Sequence, residues 1–161
     1  IEAFYDHLLN VDLGKFGVDT RPPMTDSKMK LIEMSLPSET RFVNDYLAGE
    51  TGRPIVPCLS SDFYTAYIEW CKRNGERNPR PSHQFWGTVE RLTGWKKYKQ
   101  RVYEDLHCIG TTKPMNVVVP PLKALQLAGN AKPDGERDDL WVTRGYINFA
   151  NAGKEKSAWA A

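Results

Sequence analysis

The sequence predicts an α+β fold, mainly α, with helices first, a short β-ribbon after them, and further chain at both ends. Three observations predict it. Apolar residues recur at three- and four-residue intervals in successive segments up to Gly94; the pattern changes to alternation between Lys97 and Tyr103; and a β-branched run, Val117 to Val119, follows and is closed by Pro120-Pro121. A chain of 161 residues can bury about 70 % of its unfolded surface, enough for one domain with flanking segments.

The opening IEAFYDHLLNVDLGKF carries Phe4, Leu8, Leu9 and Val11 at helical intervals before Gly14 and Gly17 stop it, and reads as the last helix of a preceding domain. The first residue is Ile, not Met, so the chain reads as a piece of something longer. Residues 17–36 form a connector with one helix: Pro22-Pro23 break the backbone, Thr25 is a fair N-cap, and Met29, Leu31 and Ile32 give a short apolar face. Residues 1–36 together are an N-terminal helical extension.

SLPSETRFVNDYLAGE opens the better-defined unit, residues 37–121. Ser38 is placed to cap a helix, Phe42, Val43, Tyr46 and Leu47 recur at helical intervals, and Gly49 closes it. Pro54 and Pro57 forbid helix in TGRPIVPCLS, where Ile55-Val56 suits a short extended segment. SSDFYTAYIEWCKRNG satisfies every local rule for a helix: Ser60 or Ser61 as cap, Asp62 in the first turn, Phe63, Tyr67, Ile68 and Cys71 on one stripe, Lys72 and Arg73 in the last turn, and Gly75 as stop. A polar turn with Pro79 and Pro81 leads to SHQFWGTVERLTGW. Here Ser82 is the expected cap, Phe85, Val89 and Leu92 the buried stripe, and Gly94 the stop; Gln84, Gly87, Thr88 and Arg91 lie on the opposite face.

KKYKQRVYEDLHC then alternates, with Tyr98, Gln100 and Val102 on one side and Lys97, Lys99, Arg101 and Tyr103 on the other. Gly110, Thr111, Thr112 and Lys113 form a flexible tip, and MNVVVPP is the returning strand. Three helices followed by a two-stranded β-wing is the order of a winged helix-turn-helix, whose third helix enters the major groove. Residues 122–161 mix Gly, Ala, Asp and Lys with weak periodicity. They read as an appended segment, partly flexible, able to pack on the core through Leu125, Trp141, Tyr146 and Phe149.

The charge is unevenly spread. Between Lys72 and Arg101 nine lysines and arginines face two glutamates, a local +7 in a chain whose total is +2. A surface for a polyanion has this form when the whole-chain charge conceals it. On the third helix Gln84, Thr88 and Arg91 are placed to meet base edges, with Arg77, Arg80, Ser82 and His83 near a phosphate at its N-terminal end. Lys96, Lys97, Lys99 and Arg101 on the ribbon, and Lys113 at its tip, are placed to neutralise further phosphates. Gly87 leaves room for another backbone to approach. Trp95 is expected in the core because its neighbours are core positions.

Other chemistry finds little support. Cys58, Cys71 and Cys108 form no CxxC pair and His7, His83 and His107 are scattered, so neither a disulfide framework nor a metal site is expected. AGETGRP, from Ala48 to Pro54, lacks the lysine of a phosphate-binding loop, and neither GxSxG nor HExxH occurs. Asp138-Asp139 reads as a solvated loop. No cofactor and no membrane are expected: no apolar run reaches the roughly 20 residues that cross a bilayer, and the chain reads as soluble and unexported. The expected partner is DNA, duplex or single-stranded; a protein-interaction module with Trp141 and Trp159 as exposed anchors is the alternative.

FYDHLLNVDLGKF followed by RPPMTDSKMKLIEMS resembles the end of the superfamily 3 helicase domain in phage and plasmid primase-helicases. From Glu39 to Pro121 the chain is similar to the C-terminal winged-helix domain of those proteins and their poxvirus-type relatives, chiefly through FYTAYIEWCKRNGERNPRPSHQFWGTVERL. It departs from them at Trp86-Gly87, where they usually carry Phe-Gly. The resemblance implies a non-catalytic piece behind an ATP-driven unwinding ring, holding origin or template DNA in the cytoplasm of a bacterial host. The helicase domain of the same polypeptide would be its partner.

Overall fold

Two units divide the chain, residues 1–34 and 35–161. The computed structural model describes residues 2–12, 23–105, 107–108 and 112–158, without the side chains of residues 2, 3, 8 and 155–158. Helix α1 (Glu2–Asn10) and nearly all of α2 (Asp26–Ser35) belong to the first unit. Thr25 caps α2, its Oγ1 accepting from the Lys28 N–H at 3.3 Å. The apolar face expected there does not bury: Met29, Leu31, Ile32 and Met34 are all exposed.

The second unit runs α3 (Ser38–Leu47), β1 (Cys58–Leu59), α4 (Ser60–Arg73), α5 (Ser82–Thr93), β2 (Lys97–Val102), β3 (Lys113–Val118), α6 (Leu122–Leu127) and α7 (Asp138–Ala158). The three serines read as caps occupy a different place. Ser38, Ser60 and Ser82 are the first helical residues, and the capping positions are Pro37, Leu59 and Pro81, none with a side-chain cap bond. Each of these three residues has φ between −53° and −71° and ψ between 141° and 151°, an extended entry whose φ the ring pre-sets at Pro37 and Pro81. The Ser38 hydroxyl is thereby free to bond the Tyr67 hydroxyl at 2.8 Å. At the other end of α4, Gly75 takes φ +71° and the Glu76 N–H reaches the Cys71 carbonyl at 2.9 Å, satisfying one of the helix's last carbonyls.

Rings from α3, α4 and α5 meet in one nest. Phe42 packs edge-on against Phe63 and Tyr67 at 5.3 and 5.5 Å, and Tyr67 stacks on Phe85 at 4.5 Å. Trp95 joins them through Tyr46 and Phe63 and is buried, as expected. Leu92 is not: it is 48 % exposed, while Trp86 is buried in its stead. The helix stops at Gly94, and Trp95 just beyond it joins the ring core.

The sheet has three strands, not two, in the order β1-β3-β2 and antiparallel throughout. The extended segment falls at Cys58-Leu59 and pairs with Val118 and Val117, three residues later than expected; Ile55-Val56 form a bend. In the ribbon, Lys97 pairs with Val118, Lys99 with Asn116 and Arg101 with Pro114. Pro114 is tolerated because β3 there has only β2 beside it.

The sheet separates two cores. Val118 belongs with the rings of α3–α5, whereas Leu59, Val102 and Val117 gather with Val142 of α7, flanked by Met115, Trp141 and Tyr146. The segment after Pro121 is thus largely helical, and α7 lies against the sheet. Leu125 and Phe149 are buried, and Trp141 and Tyr146 are half-buried, so Trp141 is no free anchor; Trp159 lies outside the described residues. Asp138-Asp139 open α7 instead of a loop, where their charges suit the helix dipole. Arg53 holds the middle of α7, donating to the Phe149 carbonyl and to Glu69, each at 2.8 Å, with its guanidinium over the Phe149 ring. No described helix is long and apolar enough to cross a membrane.

Two helical glycines test this packing with one substitution. A Cβ on Gly145 of α7 would lie 2.6 Å from the Pro57 carbonyl oxygen, whereas one on Gly87 of α5 would meet nothing within 4 Å. Gly87→Ala should stabilise by about 0.5–1 kcal/mol through helix propensity. Gly145→Ala should destabilise by about 1–2 kcal/mol, since overpacking against backbone exceeds that gain. Urea unfolding of the two variants checks the opposite signs.

Candidate nucleic-acid interface

The rotation of α5 follows from what it buries. With Phe85, Trp86 and Val89 in the core, Gln84, Gly87 and Arg91 emerge on the outer side, and Arg91 makes no ion pair among the described residues. Thr88 departs from the expectation of a base contact. It is half-buried, and its hydroxyl donates to Glu39 Oε1 at 3.3 Å.

Glu39 was not singled out from the sequence, where it resembles any first-turn glutamate. It is buried at 5 % exposure, with the Arg80 guanidinium 3.8 Å away and the Ser38 hydroxyl at 3.4 Å. Arg80 also donates to Gln84 Oε1 at 3.4 Å, while its side chain stays 55 % exposed. The backbone of Arg80 is fixed from α4, its N–H donating to the Tyr67 hydroxyl and its carbonyl accepting from the Tyr64 hydroxyl, both at 2.9 Å. Burial raises the Tyr67 phenol above its usual range, so it stays protonated through neutral pH. The entrance to α5 is therefore held by three side chains of α3 and α4, Glu39, Tyr64 and Tyr67, and beside it lies an open cleft of about 460 Å³ between Pro37, Glu39, Pro79, Arg80 and Gln84. Ser82 lies in the first turn and His83 and Arg77 are exposed, without an ion-pair partner among the described residues.

The ribbon has two chemically distinct faces. Lys97, Lys99 and Arg101 share a face with Val118, which packs into the ring nest, so this is the side on which α5 lies. Lys97 confirms it, its Nζ standing 5.2 Å from the Trp86 ring centroid. Tyr98, Gln100 and Val102 take the other face, toward α7. Lys96 is exposed beside Trp95. Lys113 parts from the expectation: it is no tip residue but the first of β3. It pairs with Val102, on the face away from Lys99, and forms an ion pair with Glu104.

Few cations of this region are compensated by an acid. Of the seven ion pairs among the described residues, one alone, Arg80–Glu39, engages a cation from the Lys72–Arg101 stretch. Arg41, Arg53, Lys113, Lys132, Arg137 and Arg144 are matched with carboxylates, and Arg41 takes Glu76 out of the stretch itself. Lys72, Arg73, Arg77, Arg91, Lys96, Lys97, Lys99 and Arg101 remain exposed and unneutralised. No group of three or more metal-ligating side chains occurs among the described residues. Comparison with protein-family models, with curated proteins and with solved structures finds no match.

The geometry distinguishes side chains spent on folding from those left over. Thr88→Val removes a donor from a buried carboxylate and should cost about 1–2 kcal/mol of stability. Arg91→Ala should stay within about 0.5 kcal/mol of the parent chain. Chemical denaturation of both variants measures the contrast.

Proposed function

We propose that residues 37–121 form a winged helix-turn-helix module that holds DNA, with α5 in the major groove and the β2–β3 ribbon as the wing along the backbone. The observation that carries this reading is the uncompensated charge: apart from Arg80, cations of the α4–α5 turn, of α5 and of the ribbon face beside α5 are left without an ion pair, whereas six of the ten other described lysines and arginines are paired with an acid. Each such cation that neutralises a phosphate releases condensed counterions, which makes affinity steeply dependent on salt. Arg91 and Gln84 are the side chains on the outer face of α5 with the donors and acceptors to read guanine and adenine edges. Arg80, held by Glu39 and Gln84, would clamp a phosphate at the start of that helix.

The module in this reading binds and does not catalyse. The resemblance to phage and mobile-element primase-helicases would put it behind a helicase ring of the same polypeptide, to which ATP hydrolysis would belong.

Fluorescence anisotropy with duplex and single-stranded DNA at two salt concentrations tests the proposal; absence of binding at low salt overturns it. Lys99→Ala and Arg101→Ala should weaken binding to all sequences alike and flatten the plot of log affinity against log salt by about 0.9 each. Arg91→Ala should in addition reduce discrimination between sites by about 1–3 kcal/mol. Gly87→Ala should bind more weakly although it folds more stably, because its new methyl group stands where the DNA backbone approaches.

A further inference from the structure

Only the base of the ribbon is fixed from the α5 side. Val118 is buried there, but Lys99, Arg101, Pro114 and Asn116, which form the rest of that face, are exposed. From Lys97 to Arg101 the strand runs about 13 Å, so a tilt of 10° about the base moves the outer cations by about 2 Å. A charge-assisted hydrogen bond to a phosphate does not survive a displacement of that size.

What opposes the tilt lies behind the sheet. Just past the end of β2, both polar backbone atoms of Tyr103 are held by α7: its N–H donates to Thr143 Oγ1 at 3.0 Å, and its carbonyl accepts from the Tyr146 hydroxyl. Thr143 is fully buried and donates in turn to the Asp139 carbonyl at 2.6 Å, so its hydroxyl is used in both directions. Val142, next to Thr143 on the helix, is buried against Leu59, Val102 and Val117. Burial, with Glu104 adding its charge, pushes the Tyr146 phenol above its usual pKa, which keeps it a donor at neutral pH.

We propose that Thr143 and Tyr146 are positioning residues of the DNA site, and that α7 is a strut that sets the inclination of the wing against α5. This inference rests on the DNA-holding reading of the previous subsection. Thr143 is inaccessible and faces the side of the sheet away from Lys99, so any effect it has on DNA passes through the ribbon. The strut supplies geometry and no contact of its own: it keeps Lys99 and Arg101 at a fixed reach from the groove that α5 occupies.

Anisotropy with duplex DNA across a salt series tests this on the full chain, using Tyr146→Phe, Thr143→Val and the conservative Thr143→Ser. Tyr146→Phe and Thr143→Val should each weaken binding about 3- to 10-fold and flatten the salt slope by about one to two phosphate contacts. Thr143→Ser keeps the hydroxyl and should retain both affinity and slope. On a Lys99→Ala, Arg101→Ala background the added loss should fall below about twofold, since the groups being positioned are gone. A merely structural role would lower the melting temperature and leave the slope of the folded protein unchanged. Should Thr143→Val fail to fold, Tyr146→Phe, which deletes a single oxygen, decides alone. The proposal falls if folded Tyr146→Phe binds with parental affinity and slope while Lys99→Ala weakens binding, an outcome that leaves the DNA-holding reading in place. If the parent chain binds no DNA, that reading falls and this one with it.

Discussion

Tyr67 and Phe85 stack at 4.5 Å within a nest of rings that also takes in Phe42, Phe63 and Tyr46, and on that contact the orientation of α5 depends. A helix is free to rotate about its axis until its large side chains find their places. Here Phe85, Trp86 and Val89 enter the nest together, which commits Gln84, Gly87 and Arg91 to the outside. Tyr67 does more than stack: its hydroxyl receives the Arg80 N–H and bonds Ser38, so the side chain that anchors the rotation of α5 also fixes the turn that delivers it. Core packing and site geometry are the same set of contacts seen from two sides.

Electrostatics follows from this placement. A net charge of +2 hides a division in which acids cluster where cations need them and are scarce between Lys72 and Arg101. Six of seven ion pairs lie outside that stretch's cations, on Arg41, Arg53, Lys113, Lys132, Arg137 and Arg144. The most exposed of them, Lys113–Glu104, contributes about 0–1 kcal/mol to folding, so stability does not demand it. The effect of the pairs is on the field: they neutralise Lys132, Arg137 and Arg144 around α7, while Arg91, Lys99 and Arg101 carry no ion pair among the described residues.

Elements with strong local signals were legible in the sequence. Helix α4 carried stripe, dipole and stop in register, and α5 and β2 followed from periods of 3.6 and 2. Their solvent faces, with Arg91, Lys97, Lys99 and Arg101, were legible for the same reason. Elements made by tertiary contact were not. Strand β1 is two residues flanked by a proline and exists through pairing with Val117 and Val118. Helix α7 has Gly145 and Gly153 on inward positions and a charged N-terminal end, which blunts its apolar stripe. The serines misled because a proline just before each of Ser38 and Ser82 supplies the helix entry by backbone conformation, and Thr88 misled because its partner, Glu39, is 49 residues away.

Strand register ties these parts together. In a β-strand neighbouring side chains point to opposite faces, so a slip of one residue would carry Lys97, Lys99 and Arg101 to the α7 side and Tyr98, Gln100 and Val102 to the other. A lone hairpin with one solvated face guards weakly against such a slip. Here β3 places Val118 in the ring nest and Val117 in the α7 core, so a shift in its position would expel valines from two cores at once. Burying one such side chain is worth about 1.5–3 kcal/mol, and losing both would cost most of a small domain's stability. β1 adds a second restraint by pairing with both valines. The appended helix therefore does not simply cover a hydrophobic surface. By giving the far face of the sheet a core of its own, it makes the alternation of β2 unambiguous, and the side on which the lysines emerge becomes a property of the fold.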